Sequence, residues 1–178
     1  AEPDIVLQNI GIDAIDNINV DGYAVREFDT HGLKGFYVFG DSLSGGRLNP
    51  TFEFASLKDG TKAVSAIDGV VTFIKEQSET SDYEVFVQPK DGSAWTVGYD
   101  HLVNITVTKG KTVKAGDTLG EPAVQNNGLT RFEVQINKDV DGETTHYCPT
   151  TLLDQDIKAG VEEELLEMQN AGESITGK

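Results

Sequence analysis

The residues able to do chemistry are few and scattered. The chain has three histidines, His31, His101 and His146, and a single cysteine, Cys148. His146 and Cys148 stand two residues apart, which on a strand puts both on one face, where imidazole and thiolate could share a metal. Two ligands do not make a zinc site, and Asp141 and Glu143, the nearest groups that could help, read as part of a surface turn. The run Asp139-Val140-Asp141-Gly142-Glu143 lacks the roughly twelve-residue loop with a closing Glu that calcium requires, and is expected as a loop. His101 is a candidate acid/base group. Alone it has neither metal nor partner, so a structural or ligand-contacting role is the expectation. Trp95 and Tyr99 share strand parity with Val97, and beside a cleft they suit stacking on sugar or peptide, the alternative being burial in a core. No phosphate-cradling glycine motif, no Gly-x-Ser-x-Gly and no kinase or dinucleotide fingerprint occurs.

The elements that must position these groups are mostly strands. Short runs rich in Val, Ile, Phe, Tyr and Thr, bounded by turn residues, cover Thr51–Ala55, Lys62–Ile67, Val70–Ile74, Tyr83–Gln88, Ala94–His101, Thr118–Leu119 and Thr130–Ile136. Asp59-Gly60, Asp68-Gly69, Asp91-Gly92 and Asn127-Gly128 are dipeptides that accept positive φ and turn sharp corners. Pro89 cannot donate to a ladder, so it ends a strand at Gln88, and 89–93 reads as a hairpin loop. In the last strand Phe132, Val134 and Ile136 share a face with Thr130 and are expected in the core. Leu129, Arg131, Glu133 and Gln135 share the other face, toward solvent or a cleft. Val113 and Leu119 are expected to point inward among the corner glycines Gly110, Gly116 and Gly120. Earlier, Ile5–Leu7, Tyr23–Val25 and Phe36–Phe39 are weaker strand candidates. At the end, Ile157, Val161, Leu165 and Met168 have helical spacing among glutamates, an amphipathic helix with a stop at Asn170-Ala171-Gly172 and a frayed tail over 173–178.

At 178 residues the chain is one compact domain with short tails, 38% hydrophobic and 25% charged. Lys plus Arg number 14 and Asp plus Glu 30, a formal charge of −16. That balance argues against nucleic acid and anionic membrane surfaces as partners, which it would repel. No apolar run approaches the roughly 20 residues of a membrane span. One cysteine allows no internal disulfide. The start Ala1-Glu2-Pro3-Asp4 resembles a mature chain after signal cleavage, and equally a trimmed one.

Four segments, in order, carry a family resemblance. Phe39-Gly40 leads through Gly45-Gly46-Arg47 to Asn49-Pro50-Thr51-Phe52-Glu53-Phe54-Ala55. Gly60-Thr61-Lys62-Ala63-Val64-Ser65-Ala66 leads to Gly69-Val70-Val71. Tyr99-Asp100-His101-Leu102 leads to Val113-Lys114-Ala115-Gly116-Asp117-Thr118-Leu119-Gly120. Last comes Leu129-Thr130-Arg131-Phe132-Glu133-Val134. Together they resemble the lysostaphin-like (LytM-type) zinc metalloendopeptidases that cut peptidoglycan cross-bridges, over roughly residues 36–153. The resemblance implies a mainly β fold, a LytM-type antiparallel β-roll or sandwich (the duplicated hybrid motif), followed by the C-terminal amphipathic helix. The expected division is an acidic N-terminal extension over 1–35, the β domain over 36–153, and helix and tail over 154–178.

The same resemblance implies where the chemistry should lie. The family's zinc ligands, a His, an Asp and the second His of His-x-His, fall on Asn49, Glu53 and Arg131. The first position of His-x-His is Leu129, and only His101, in the place of Tyr-x-His-Leu, is retained. An Asn amide is a poor zinc ligand, Arg offers no usable lone pair, and Leu neither ligates nor donates. A degenerate site without zinc is therefore expected, with Asn49, Glu53, His101, Leu129, Arg131, Trp95 and Tyr99 lining a binding cleft. Glu53 and Arg131 sum to zero charge without a metal, so the guanidinium is expected to take the cation's place, paired with Glu53 and with Asn49 hydrogen-bonded beside it. The expected function is an inactive member of the family outside the cytoplasm, binding cell wall or regulating a separate wall hydrolase. The charge of −16 favours a protein partner over anionic wall polymers. Two alternatives stand: a divergent zinc peptidase using Glu53, His101 and a further ligand such as His31 or His146, and a scaffold that docks a partner through its terminal helix.

Overall fold

The computed structural model describes residues 2–20, 36–37, 39–40, 42, 44–126 and 128–176; the strand candidate Tyr23–Val25, His31 and Asn127 lie outside them. Among the described residues ten strands, β1 (Phe36–Tyr37), β2 (Phe52–Phe54), β3 (Ala63–Val64), β4 (Gly69–Gln77), β5 (Asp82–Gln88), β6 (Trp95–Val103), β7 (Thr112–Val113), β8 (Thr118–Val124), β9 (Thr130–Val140) and β10 (Glu143–Tyr147), precede a long helix, α1 (Gln155–Thr176). Strands β1-β2-β9-β8-β6-β5-β4-β7 follow one another in a single antiparallel sheet, with β10 against β9 and β3 against β8. An additional β9–β6 pairing makes the sheet curl on itself. This is the mainly β architecture that the strand runs predict.

The alternation in β9 works as read. Phe132, Val134 and Ile136 are buried, while Arg131, Glu133 and Gln135 on the opposite face keep part of their surface in solvent. Val113 and Leu119 point inward as expected. Strands β5 and β6 form the hairpin that Pro89 predicts. Gly69 departs from the reading as a positive-φ corner. It sits within β4 with an ordinary φ, and a Cβ there would lie 2.3 Å from the Gln88 carbonyl oxygen, so close backbone approach is what demands glycine.

Two expectations are corrected. The stretch expected as a loop and surface turn is a hairpin: Asp141 and Gly142, both at positive φ, join β9 to a strand, β10, that the polar residues Glu143–Tyr147 did not announce. The helix continues past the expected stop to Thr176, because a glycine such as Gly172 weakens a helix by about 1 kcal/mol without ending it. The described part of the N-terminal segment, residues 2–20, packs on the β domain. Ile5, Leu7, Ile10, Ile12, Ile18 and Val20 join the main core, and Leu7 exchanges backbone hydrogen bonds with Leu152 and Asp154, both 2.8 Å. From the other end Leu165 is buried, and Ile157, Val161 and Met168 pack against the same core, which seats the helix on the domain. No described helix is long and apolar enough to cross a membrane.

Candidate functional site

Register decides what meets on the polar face of the sheet. Glu53 on β2 lies directly opposite Glu133 on β9, and Glu133 directly opposite Asp100 on β6. Like charges in direct cross-strand register repel. Arg131, two residues before Glu133 on the same face, relieves the first pair: its Nε donates to Glu53 Oε1 (3.0 Å) and its Nη2 to Glu133 Oε1 (2.6 Å). The Arg131–Glu53 contact expected from charge balance is present, but the fork is shared between two carboxylates rather than bidentate on one. Burial pushes the Glu53 carboxyl above its ordinary pKa, the Glu133 charge adds to this, and Arg131 opposes it. Burial acts to lower the Arg131 pKa, but the charges and hydrogen bonds of Glu53 and Glu133 outweigh it and raise it, so the guanidinium is a fixed cation.

His101 reaches this face through a bulge. Trp95, Val97 and Tyr99 alternate onto the core face of β6, and simple parity would bury His101 with them. Between the pairs Val85↔Tyr99 and Tyr83↔Leu102 the register slips, so Asp100 and His101 together oppose Glu84. His101 takes φ +60°, a left-handed conformation, and Leu102 recovers the core face. The imidazole is then held from one side. Its Nδ1 lies 2.7 Å from Oδ2 of Asp82, which is fully buried, while Asp82 Oδ1 accepts from Gln77 Nε2 (3.2 Å) and the Thr80 hydroxyl. The other nitrogen, Nε2, makes no hydrogen bond among the described residues; Glu133 Oε1 is 3.7 Å and Asp100 Oδ2 3.9 Å away.

The remaining expected site residues divide. Asn49 is buried, and its Oδ1 accepts from the Thr51 N–H (3.1 Å) and hydroxyl (2.8 Å), shaping the turn before β2. Leu129 packs with Ala55 in a small cluster apart from the main core. Trp95 and Tyr99 are corrected out of the cleft: both are 0% exposed. Trp95 packs on Tyr147 with Lys138 over its ring, and the Tyr99 hydroxyl accepts from the Ala66 N–H at 2.7 Å. Burial also pushes the Tyr99 hydroxyl up to about 12. Their parity, shared with Val97, is core parity. His146 and Cys148 do not meet in a site either. His146 projects from β10 onto Asn137 and Gln135, and Cys148 Sγ contacts the Thr150 hydroxyl.

The zinc that the family resemblance implies does not fit positions 49, 53 and 131. A guanidinium is bonded to the one carboxylate among them, and the Asn49 oxygen is engaged by Thr51. What the residue-by-residue reading missed is the other half of the site. Glu133 carried a signal, since alternation put it on the Arg131 face. Asp82, Gln77 and Glu84 carried none, because only the β4–β5 pairing and the bulged β5–β6 pairing together bring them to His101 and Asp100.

Several solved structures share the fold. The catalytic domain of the antimicrobial peptidase lysostaphin from Staphylococcus simulans superposes with a TM-score of 0.53 at 18% identity, over 65% of this chain and 87% of that one. LytU gives 0.53 at 22% identity, over 70% and 87%. A chain of the SpoIIQ–SpoIIIAH pore-forming complex gives 0.53 at 16% identity and spans more of the molecule, 89% of this chain and 97% of that one. No curated protein sequence matches. The profile of peptidase family M23, a family that is normally zinc-dependent, matches residues 52–143, β2 to the start of β10 and more than half of the chain. On fold and sequence together, this chain belongs to peptidase family M23.

Proposed function

We propose that this chain is a catalytically inactive M23 domain that works outside the cytoplasm, binding peptidoglycan or regulating a separate wall hydrolase. The observation that carries this reading is the Arg131 guanidinium bridging Glu53 and Glu133, where the family resemblance puts a metal. A covalently supplied cation cannot polarise a bond through an open coordination position or generate a metal hydroxide, the two services a catalytic zinc provides. It can hold the shape of the cleft. Two features favour a protein partner over bare wall polymer. The chain carries a charge of −16, and one fold relative is part of a protein complex. Asn49, Glu53, His101, Leu129 and Arg131 are the residues assigned to the cleft.

The test is a pair of assays on the zinc-loaded chain. Sedimentation with purified peptidoglycan, and capture of wall hydrolases of the same cell, should show binding. A wall suspension should not clear. Clearing of the suspension, abolished by Glu53→Gln or His101→Gln, would establish the enzymatic alternative instead, which rests on the imidazole oriented by Asp82. The scaffold alternative predicts that removing residues 154–178 abolishes partner capture from a domain that stays folded. The packing of Leu165 into the core argues that this truncation also costs stability.

A further inference from the structure

A row of carboxylates crosses the polar face of the sheet, and the chain satisfies only one end of it. Glu53, Glu133 and Asp100 stand in direct register on β2, β9 and β6, and the bulge sets Glu84 of β5 against Asp100. Like charges so placed repel. At one end Arg131 lies between Glu53 and Glu133 and bonds both. At the other end Asp100 and Glu84 have no such bridge. Asp100 Oδ1 accepts from Gln77 and from the His101 N–H at 2.7 Å, while Oδ2 makes no hydrogen bond among the described residues. Lys75 approaches Glu84 only to 3.7 Å, on a side chain 53% exposed. Burial and then the Asp100 charge hold the Glu84 carboxyl above its ordinary pKa, as an unrelieved pair requires.

A buried nitrogen points into the same gap. His101 Nε2, on a side chain 8% exposed, lies 3.9 Å from Asp100 Oδ2 and 3.7 Å from Glu133 Oε1, too far for a hydrogen bond to either. With the Nδ1 proton given to Asp82, the neutral ring presents Nε2 as an acceptor. Asp100 Oδ2, the Glu84 carboxylate and His101 Nε2 are then all acceptors, and what completes them must donate. A metal ion would find too few free ligands, since Arg131 holds Glu133 Oε1, and His101, Gln77 and Thr80 hold Asp82. Lysine and arginine side chains donate without accepting and carry the opposite charge.

An apolar shelf adjoins the pair on the same face. Phe86 stands opposite Gly98 of β6 and packs on Phe73 of β4, with ring centroids 5.8 Å apart and Phe73 51% exposed. A Cβ on Gly98 would meet Glu84 Oε1 at 3.5 Å and the Phe86 ring at 3.7 Å, so carboxylate and ring lie side by side over the glycine. A long cationic side chain can rest its stem on such rings while its head reaches the carboxylates. We propose that Asp100 and Glu84 receive a lysine or arginine from a basic segment of a protein partner, with its stem on Phe86 and Phe73. The incoming cation bridges this pair as Arg131 bridges Glu53 and Glu133. A basic segment also complements the chain's charge of −16. The inference rests on the reading of this domain as one that binds a protein partner, and it names the chemistry of that partner.

The probe is an acetylated, amidated hexapeptide alternating arginine with leucine, titrated into the isotope-labelled full chain and followed by amide NMR. A citrulline version, of the same shape but neutral, is the control. We expect saturable shifts centred on Phe86, Gly98, Asp100 and His101. Citrulline, or Glu84→Gln combined with Asp100→Asn, should weaken binding about tenfold, and Phe73→Ser about threefold. Glu163→Gln, on an exposed face of α1, should not weaken it. Shifts scattered over the surface, equal binding of the citrulline peptide, or a Glu163→Gln effect as large as that of the pair would overturn the proposal, because net charge alone would then explain the binding. Shifts of the same residues by a lysine-containing peptidoglycan stem peptide, with none from the arginine peptide, would overturn it and give the pair to the wall. Capture of a wall hydrolase that survives Glu84→Gln with Asp100→Asn would overturn this inference and leave the proposed function standing. The shift map and the citrulline control use the unaltered chain, so they decide even if a variant fails to fold.

Discussion

On the β2 side of the cleft, Arg131 holds Glu53 and Glu133 with two hydrogen bonds and is itself 43% exposed at the side chain. On the β6 side, His101 is 8% exposed, held by a carboxylate with no exposure, and its Nε2 makes no hydrogen bond among the described residues. The first arrangement needs nothing from solution: its cation is part of the chain and is charged at every physiological pH. The second is costly to maintain. It buries a carboxylate, bulges a strand and sets a non-glycine residue at φ +60°. Packing alone would be better served by an apolar residue at either position. The contrast separates two ways of placing charged groups on one polar face. Where Arg131 stands between two carboxylates, the charge problem is solved locally. Where His101 meets Asp82, an oriented imidazole has no hydrogen-bond partner on its outer nitrogen among the described residues.

The sharpest way to break this comparison is to remove the support of the β6 side. Asp82→Ala leaves His101, Gln77 and Thr80 without their common acceptor and should cost about 3 kcal/mol in urea denaturation. A loss under about 0.5 kcal/mol would mean that the buried carboxylate is not what holds the imidazole. Tyr99→Phe tests the boundary between core and cleft. It orphans the Ala66 N–H and should cost about 1–2 kcal/mol while leaving ligand binding unchanged. If binding falls and stability does not, Tyr99 belongs to the cleft after all.

Arg131→Ala tests the β2 side. Because the guanidinium is partly exposed, the loss at pH 7 should be only about 1 kcal/mol, and smaller in high salt. It should also depend on pH. Without Arg131, Glu53 and Glu133 repel, so the Glu53 pKa, already raised, climbs further. Protonation then relieves the repulsion as pH falls through the carboxylate range, and the melting-temperature gap between variant and parent should narrow at pH 4. The smallest effect is expected from Glu84→Gln. Burial first, then the Asp100 charge, raise the Glu84 pKa above its ordinary 4.5. Its ionised form is therefore less favourable folded than unfolded, and stability is lost as pH rises through the folded pKa. Gln removes that loss, so the variant should melt slightly higher than the parent at pH 7 and equally with it well below pH 4. A lower melting temperature at pH 7 would assign the Lys75 contact more weight than the burial.

Much of this molecule is legible in order along the chain. Apolar alternation in β9, the Pro89 stop and the helical spacing of Ile157, Val161 and Leu165 are local patterns, and each gave the element found. The unsuitability of Asn49 and Arg131 as zinc ligands is equally local, because a side chain's capacity to ligate is covalent and needs no fold to be known. The pairing of Arg131 with Glu53 followed from charge balance at the positions that the family resemblance brings together.

The rest depended on register. Glu53, Glu133 and Asp100 form one row only because β2, β9 and β6 pair in that alignment, and no strand's own alternation fixes its offset from its neighbours. The bulge at His101 is a mismatch between two strands, so its position is a property of the pair and is invisible in either. Tyr99 and His101, two residues apart, were expected to line one cleft; the bulge sends the first into the core and the second out to meet Asp82, nineteen residues earlier. The sequence by itself determined which side chains can ligate, donate or carry charge. Only the tertiary structure, by setting register across strands, decided which of those groups were brought together.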